Sequence, residues 1–315
     1  MPRCEITRLL RCWLVMALLL AAGAAAQEPL SVVSPGGRNA LRVEVRAGGL
    51  YYMLARDGRP VLLPSRLGFT FRGAPPLLDS LAITDSARNA VDRTWTQPWG
   101  EVARVRDHHN ELRVSVVEQG ALGRRFDVVF RAFDDGIGFR YEVPAQPGIG
   151  DFEMMEELTE FAFADDARAW SIPSNAPRLD RSEMLYASSP LSRLDSVQTP
   201  LTLETRDGTF IVLHEAHLED YARMNLAGRG MESRTLRAAL APWADGVAVR
   251  GRTPFVTPWR TVQLADRAAD LAPSVLGLNL NPPSAIENTS FKGEAIRICR
   301  DVGKPRIAKM FARIL

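Results

Sequence analysis

From Leu30 to Pro283 the chain keeps returning to a two-residue period, and that period limits what it can fold into. Leu41, Val43 and Val45 alternate with Arg42, Glu44 and Arg46; Leu112, Val114 and Val116 repeat the pattern, as do Phe126, Val128 and Phe130. Successive side chains of an extended chain point to opposite faces, so each run reads as a strand with one dry and one wet face. Asp57-Gly58, Asp135-Gly136, Asp207-Gly208 and Asp245-Gly246 each fall between apolar runs. Glycine there supplies the positive φ that tight hairpins require. Further strands are predicted over Leu201–Thr205, Thr209–Leu213, Thr235–Leu240, Arg260–Leu264 and Ser274–Leu280, and no long amphipathic helix precedes residue 290. One-faced sheets bury their apolar sides against each other. The expected fold class is therefore all-β, a large antiparallel β-sandwich, with an open β-barrel as the structural alternative.

The two ends differ from this body. Arg3, Arg8 and Arg11 precede the apolar run Cys12–Leu20, and Ala21–Ala26 follow it ahead of Gln27. That is the layout of a cleavable secretory signal over 1–26, and the run is short of the roughly 20 apolar residues that a membrane helix needs. The expected location is periplasmic or extracellular, without a stable membrane span. Cys4 and Cys12 would leave with the signal, so Cys299 would stand without a disulfide partner. The formal charge is +2, all of it accounted for by the leader, so a nucleic-acid grip from bulk charge is not expected. Residues 284–315 read as a divergent tail. Ile307, Phe311 and Leu315 recur every four residues among Arg306, Lys309 and Arg313, which predicts a basic helix over 294–315.

Generic catalytic signatures are missing. The sequence has no G-x-S-x-G, no H-E-x-x-H and no Cys-x-x-Cys, and Gly136-Ile137-Gly138 is a turn rather than a dinucleotide fingerprint. The acidic run from Glu153 to Glu160 reads as a solvated surface or edge strand. His214 and Glu215 end a strand, and as strand neighbours they point to opposite faces, so they cannot easily share a metal. His109, Asn110 and Glu111 follow Trp95 and Trp99. Aromatic rings beside hydrogen-bonding groups can line a sugar site or anchor a core, and spacing alone does not choose.

Several separated blocks, read together, carry a resemblance. They are Trp95-Thr96-Gln97-Pro98-Trp99-Gly100, His109-Asn110-Glu111-Leu112, Arg131 to Tyr141, His214-Glu215-Ala216 with Leu218 and Asp220-Tyr221, Thr257-Pro258-Trp259-Arg260-Thr261, and Leu278-Asn279-Leu280-Asn281. In order and spacing the stretch 27–283 resembles the N-terminal domain of glycoside hydrolase family 97. The resemblance implies a β-sandwich like that of the galactose-mutarotase superfamily, followed in the same chain by a (β/α)8 catalytic barrel. It also implies exported, calcium-dependent enzymes that cleave α-glucosides by inversion or α-galactosides by retention. In that family the barrel carries the catalytic carboxylates, so no catalytic residue is assigned here. The sandwich lends one glutamate to the calcium site; Trp170-Ser171-Ile172-Pro173 and Tyr186 place it at Glu183. Calcium takes about 6–8 oxygen ligands, so Glu183 without the others is expected to bind it poorly.

Three functional expectations follow. The first is a supporting sandwich that contacts an α-glucoside or α-galactoside together with a barrel and is not hydrolytic by itself. The second is a free-standing carbohydrate-binding module, with Trp95, Trp99 or Trp259 as stacking platforms. The third is a mutarotase-like sugar epimerase using histidine and glutamate as acid and base. Speculative sugar contacts are Trp95, Trp99, His109, Asn110, Glu111, His214, Glu215 and Trp259. An exposed apolar patch is also expected where a barrel would dock.

Overall fold

The computed structural model describes residues 30–98, 100–174, 184–230 and 232–284. The expected leader, Trp99, Glu183 and the expected tail helix lie outside them. The described part is antiparallel β-structure in two facing layers, as the alternation requires.

One layer is a ten-stranded sheet. It runs through Ala187–Pro190, Arg168–Ser171, Leu201–Glu204, Phe210–Ala216, Trp259–Ala265, Gly136–Val143, Arg125–Phe133, Arg104–Glu118 and Leu81–Thr96, with Phe255–Val256 paired beside Gly136–Val143. The other layer is assembled from three four-stranded sheets. The first is a meander from Leu30 to Leu67; the second joins Val249–Arg252, Asp151–Glu157, Phe69–Phe71 and Ala74–Leu77; the third joins Glu160–Ala162, Thr235–Leu240, Met224–Gly228 and Ser196–Gln198. Backbone bonds from Ala164 N–H to the Val61 carbonyl (3.1 Å) and from Leu158 N–H to the Gly68 carbonyl (2.8 Å) stitch the three together.

Between the layers lies one continuous apolar core. Tyr52 meets Phe139 with ring centroids 4.8 Å apart, and Phe69 meets Tyr141 at 4.5 Å, so rings from one layer interdigitate with rings from the other. The inward-facing residues are those the alternation named: Leu41, Val43, Leu112, Val114, Val116, Phe126, Val128 and Phe130 are all buried.

The turns follow their chemistry. Asp57 and Gly58 both have positive φ, 50° and 76°, and close a two-residue hairpin between Gly49–Arg56 and Arg59–Leu67. Gly136 is needed for space as well as for its φ of 146°, because a Cβ there would sit 2.3 Å from the Val262 carbonyl oxygen.

Two local expectations are corrected. Ser274–Leu280 is not a strand: a 3₁₀ turn, Ala268–Leu271, leads to a short helix, Leu276–Leu280. Leu276 and Leu280, four apart, cover a second small core on the outer face of the ten-stranded sheet with Val129, Phe133, Ala216 and Trp259. Five residues satisfy a two-residue and a helical period equally, and this outer apolar patch decides between them. The acidic strand Asp151–Glu157 is not at an edge either. It lies inside its sheet between Val249–Arg252 and Phe69–Phe71, and its last residue, Glu157, is buried.

Candidate functional site: a groove over a buried ion network

Three charged residues meet inside the sandwich. Arg260 and Glu215 are cross-strand partners on adjacent strands of the large sheet. Both fall on the inward phase of their strands, Arg260 with Val262 and Leu264, Glu215 with Ile211 and Leu213. Glu157 comes from the opposite layer. A β-bulge between Met154 and Glu156 shifts the strand's phase, so that Glu157 rather than Glu156 turns inward.

Arg260 donates from Nε and Nη2 to the two Glu157 carboxylate oxygens at 2.8 and 2.6 Å, and from Nη1 to Glu215 Oε2 at 2.6 Å. This is the forked geometry in which guanidinium and carboxylate bind most strongly. Glu157 also accepts the Thr159 hydroxyl at 2.8 Å and the Tyr221 hydroxyl at 2.8 Å. Tyr141 lies behind Thr159, their hydroxyl oxygens 2.9 Å apart, while the backbone N–H of Met224 reaches Glu215 at 3.2 Å. Burial alone would push the Glu157 carboxyl up; the charge and hydrogen bonds of Arg260 outweigh it and hold the group below the ordinary glutamate value of 4.5. Burial wins at Glu215, whose affinity for its proton is raised despite Arg260.

Tyr221 passes this rigidity to the surface. Its hydroxyl is held by Glu157, the Arg260 guanidinium lies 5.6 Å from its ring centre, and its ring helps form the floor of an open groove of about 710 Å³. Phe152 and Phe255, in contact at 4.5 Å, complete the apolar floor, and Glu219, Asp220, Arg250 and Arg252 supply the polar walls. Trp243 stands on the rim, 63% exposed, with the Arg250 guanidinium 5.7 Å from its ring centre. Sequence reasoning named neither Tyr221's role nor Trp243. The inward phase of Arg260 was the available signal for the network.

Of the eight expected sugar contacts, the seven within the described residues do not form one site. Trp95 donates its indole N–H to Asn279 Oδ1 at 2.9 Å and so ties the short helix to the long hairpin. Trp259 is buried, with the Arg131 and Arg140 guanidinium groups 4.7 and 4.4 Å from its ring centre. Glu111 accepts from Arg131 at 2.8 Å, and Asn110 donates to the Val33 carbonyl at 2.7 Å. His109 is buried against Phe133, its Nδ1 2.7 Å from Asp107 Oδ1 and its Nε2 without a partner. His214 is exposed while its neighbour Glu215 is buried in the network, the opposite-face arrangement that strand geometry predicts. Trp99 and Glu183 lie outside the described residues. Among the described residues no group of three or more His, Cys, Asp or Glu could hold a metal ion.

The profile of the family described as glycosyl-hydrolase 97 N-terminal matches residues 32–283. The chain belongs to that family. A glycoside hydrolase family 97 enzyme from Pseudoalteromonas sp. strain K8, solved in complex with panose, superposes with a TM-score of 0.80 at 39% identity, over 83% of this chain and 39% of that one. A protein of Streptomyces bingchenggensis named "Probable retaining alpha-galactosidase" is 31% identical over 96% of this chain and 46% of its own length. The retaining alpha-galactosidase of Bacteroides thetaiotaomicron is 24% identical over 89% of this chain and 45% of its own. The family 97 domain described here thus spans less than half the length of these relatives.

Proposed function

We propose that this family 97 N-terminal domain is the exported, supporting sandwich of a calcium-dependent α-glycosidase, acting on an α-glucoside or α-galactoside together with a (β/α)8 catalytic domain. The observation that carries the reading is the match itself: residues 32–283 fit the family's N-terminal model, and the chain covers only 45% and 46% of the two relatives' own lengths. Hydrolysis of a glycoside needs two carboxyl groups flanking the scissile bond, about 5–9.5 Å apart. Glu157 and Glu215, two carboxylates that this domain buries side by side, are instead held on one arginine. They are structural groups, and the reacting pair belongs to the catalytic domain.

Exposed apolar side chains suit a packing role. Leu185, Tyr186 and Leu218 are all exposed. They lie beside strand ends that register places at one end of the large sheet, where Ala216 pairs with Trp259 and Ser171 with Ala187. Calcium would be held by Glu183 with ligands from the catalytic domain. The purified chain should release no nitrophenol from 4-nitrophenyl α-glucoside or α-galactoside, and calorimetry should find only weak calcium binding. Turnover that copurifies with the chain, or micromolar calcium affinity lost in Glu183→Gln, overturns the respective half of the reading.

A further inference from the structure

The groove above the ion network combines features that the supporting role alone does not require. Its rim residue Trp243 sits on the tight turn at Asp245-Gly246, where Gly246 N–H donates to the Trp243 carbonyl at 2.9 Å and Trp243 N–H to the Val247 carbonyl at 2.7 Å. The turn holds a large indole in solvent, where its burial would otherwise stabilise the fold. Its N–H has no hydrogen-bond partner among the described residues, in contrast to that of Trp95. Arg250, which also pairs with Glu153 at 3.2 Å, braces the indole. Asp220, which lines the same groove, is exposed and held at a φ of 50°, and the neighbouring Glu219 carboxylate is 78% exposed with His217 Nε2 3.0 Å away. Tyr221 in the same groove is anchored to Glu157.

An exposed indole, carboxylate oxygens and an apolar base that line one groove match a pyranose. Its C–H face packs on an aromatic ring while its hydroxyls donate to carboxylates and take bonds from guanidinium and indole N–H groups. We propose that this groove is an oligosaccharide-binding subsite, with Trp243 as the stacking platform and Asp220 and Glu219 as hydroxyl acceptors. The identity of the ligand class rests on the glycosidase reading above; the groove's geometry does not.

The test is a titration of the purified chain with panose and, separately, raffinose, followed by the indole N–H resonances in ¹H–¹⁵N spectra. The Trp243 signal is assigned by its loss in Trp243→Phe. It should shift and saturate with a Kd on the order of 1 mM, about −4 kcal/mol. Trp243→Ala should weaken binding at least tenfold by calorimetry with the fold intact, and Asp220→Asn should weaken it several-fold. A Trp243 resonance that stays still at 50-fold the expected Kd of both sugars overturns the proposal, as does unchanged affinity in Trp243→Ala. Movement with protein concentration but not with sugar also overturns it and makes the groove a contact between copies of the chain. Nitrophenyl glycoside turnover would defeat the supporting-domain reading and leave the Trp243 shift standing, so the two failures are separable.

Discussion

Two of the polar clusters that the sandwich buries differ in completeness. In the Glu157–Arg260–Glu215 cluster the guanidinium engages both carboxylates, and hydroxyl or backbone donors fill the remaining positions. Its members come from three distant segments and two facing layers. In the Asp107–His109 cluster both residues lie on one strand, Arg93 from the paired strand reaches Asp107 at 3.1 Å, and His109 Nε2 is buried with no partner. The first cluster ties layers together and fixes the groove floor. The second stays within one sheet, bracing the long hairpin of Leu81–Thr96 and Arg104–Glu118 and packing on Phe133 of the strand beside it. A complete buried network makes each member costly to remove, whereas an incomplete local one leaves room for substitution.

The sharpest way to break that contrast is Arg260→Met. It leaves two carboxylates buried without a cation, and loss of one partner of a buried pair costs about 3–5 kcal/mol. Denaturant unfolding should show that loss, and the Tyr221 side of the groove should loosen with it. Glu215→Gln keeps shape and the Arg260–Glu157 fork, so it should cost about 1–2 kcal/mol, the scale of a weakened charged hydrogen bond. If Arg260→Met costs no more than Glu215→Gln, the network is not what joins the layers.

Acid should separate the clusters next. Glu157 holds its proton less tightly folded than unfolded, so its contribution is full above the unfolded value of 4.5 and is lost as pH falls through its lower folded value. Glu215 is raised, so it works the other way: in the window just above 4.5 the folded state keeps a proton that the unfolded state has released, and stability falls slightly as pH rises through it. Urea midpoints should therefore drop steeply below about pH 4.5 in the wild type. The drop should be shallower in Glu157→Gln, although that variant starts less stable.

Much of the fold was legible because the evidence for it is local. Alternation places Val43, Val114 and Phe130 inward, and Asp57-Gly58 closes its hairpin, without reference to the rest of the chain. The groove was not legible, for particular reasons. Glu157 looked like one more charge in an acidic run because the bulge that turns it inward is set by pairing with Phe69–Phe71. Trp243 was passed over because exposure is a property of the finished surface. Trp259 and Trp95 looked like platforms until the fold covered one with guanidinium groups and tied the other to Asn279. Arg260 lay between these cases, since a charge on the inward phase of an apolar strand implies a buried partner even when the partner cannot be named.

The smallest effect should come from His109. Burial lowers its proton affinity below the ordinary 6.5, although Asp107 favours the charged form. The unfolded chain therefore takes up a proton near pH 6.5 that the folded chain refuses, and stability contributed by the neutral ring is lost as pH falls from about 6.5 toward the folded value. Glutamine at this position can still offer an amide N–H to Asp107 but does not titrate. His109→Gln should thus cost under about 1 kcal/mol at pH 8, because only one of the ring's two nitrogens has a bond to lose. The gap to wild type should then narrow as the pH approaches 5. Parallel stability curves for the two proteins between pH 8 and 5 would show that the folded chain takes up the His109 proton as readily as the unfolded one, so that Asp107 fully offsets the burial of the ring.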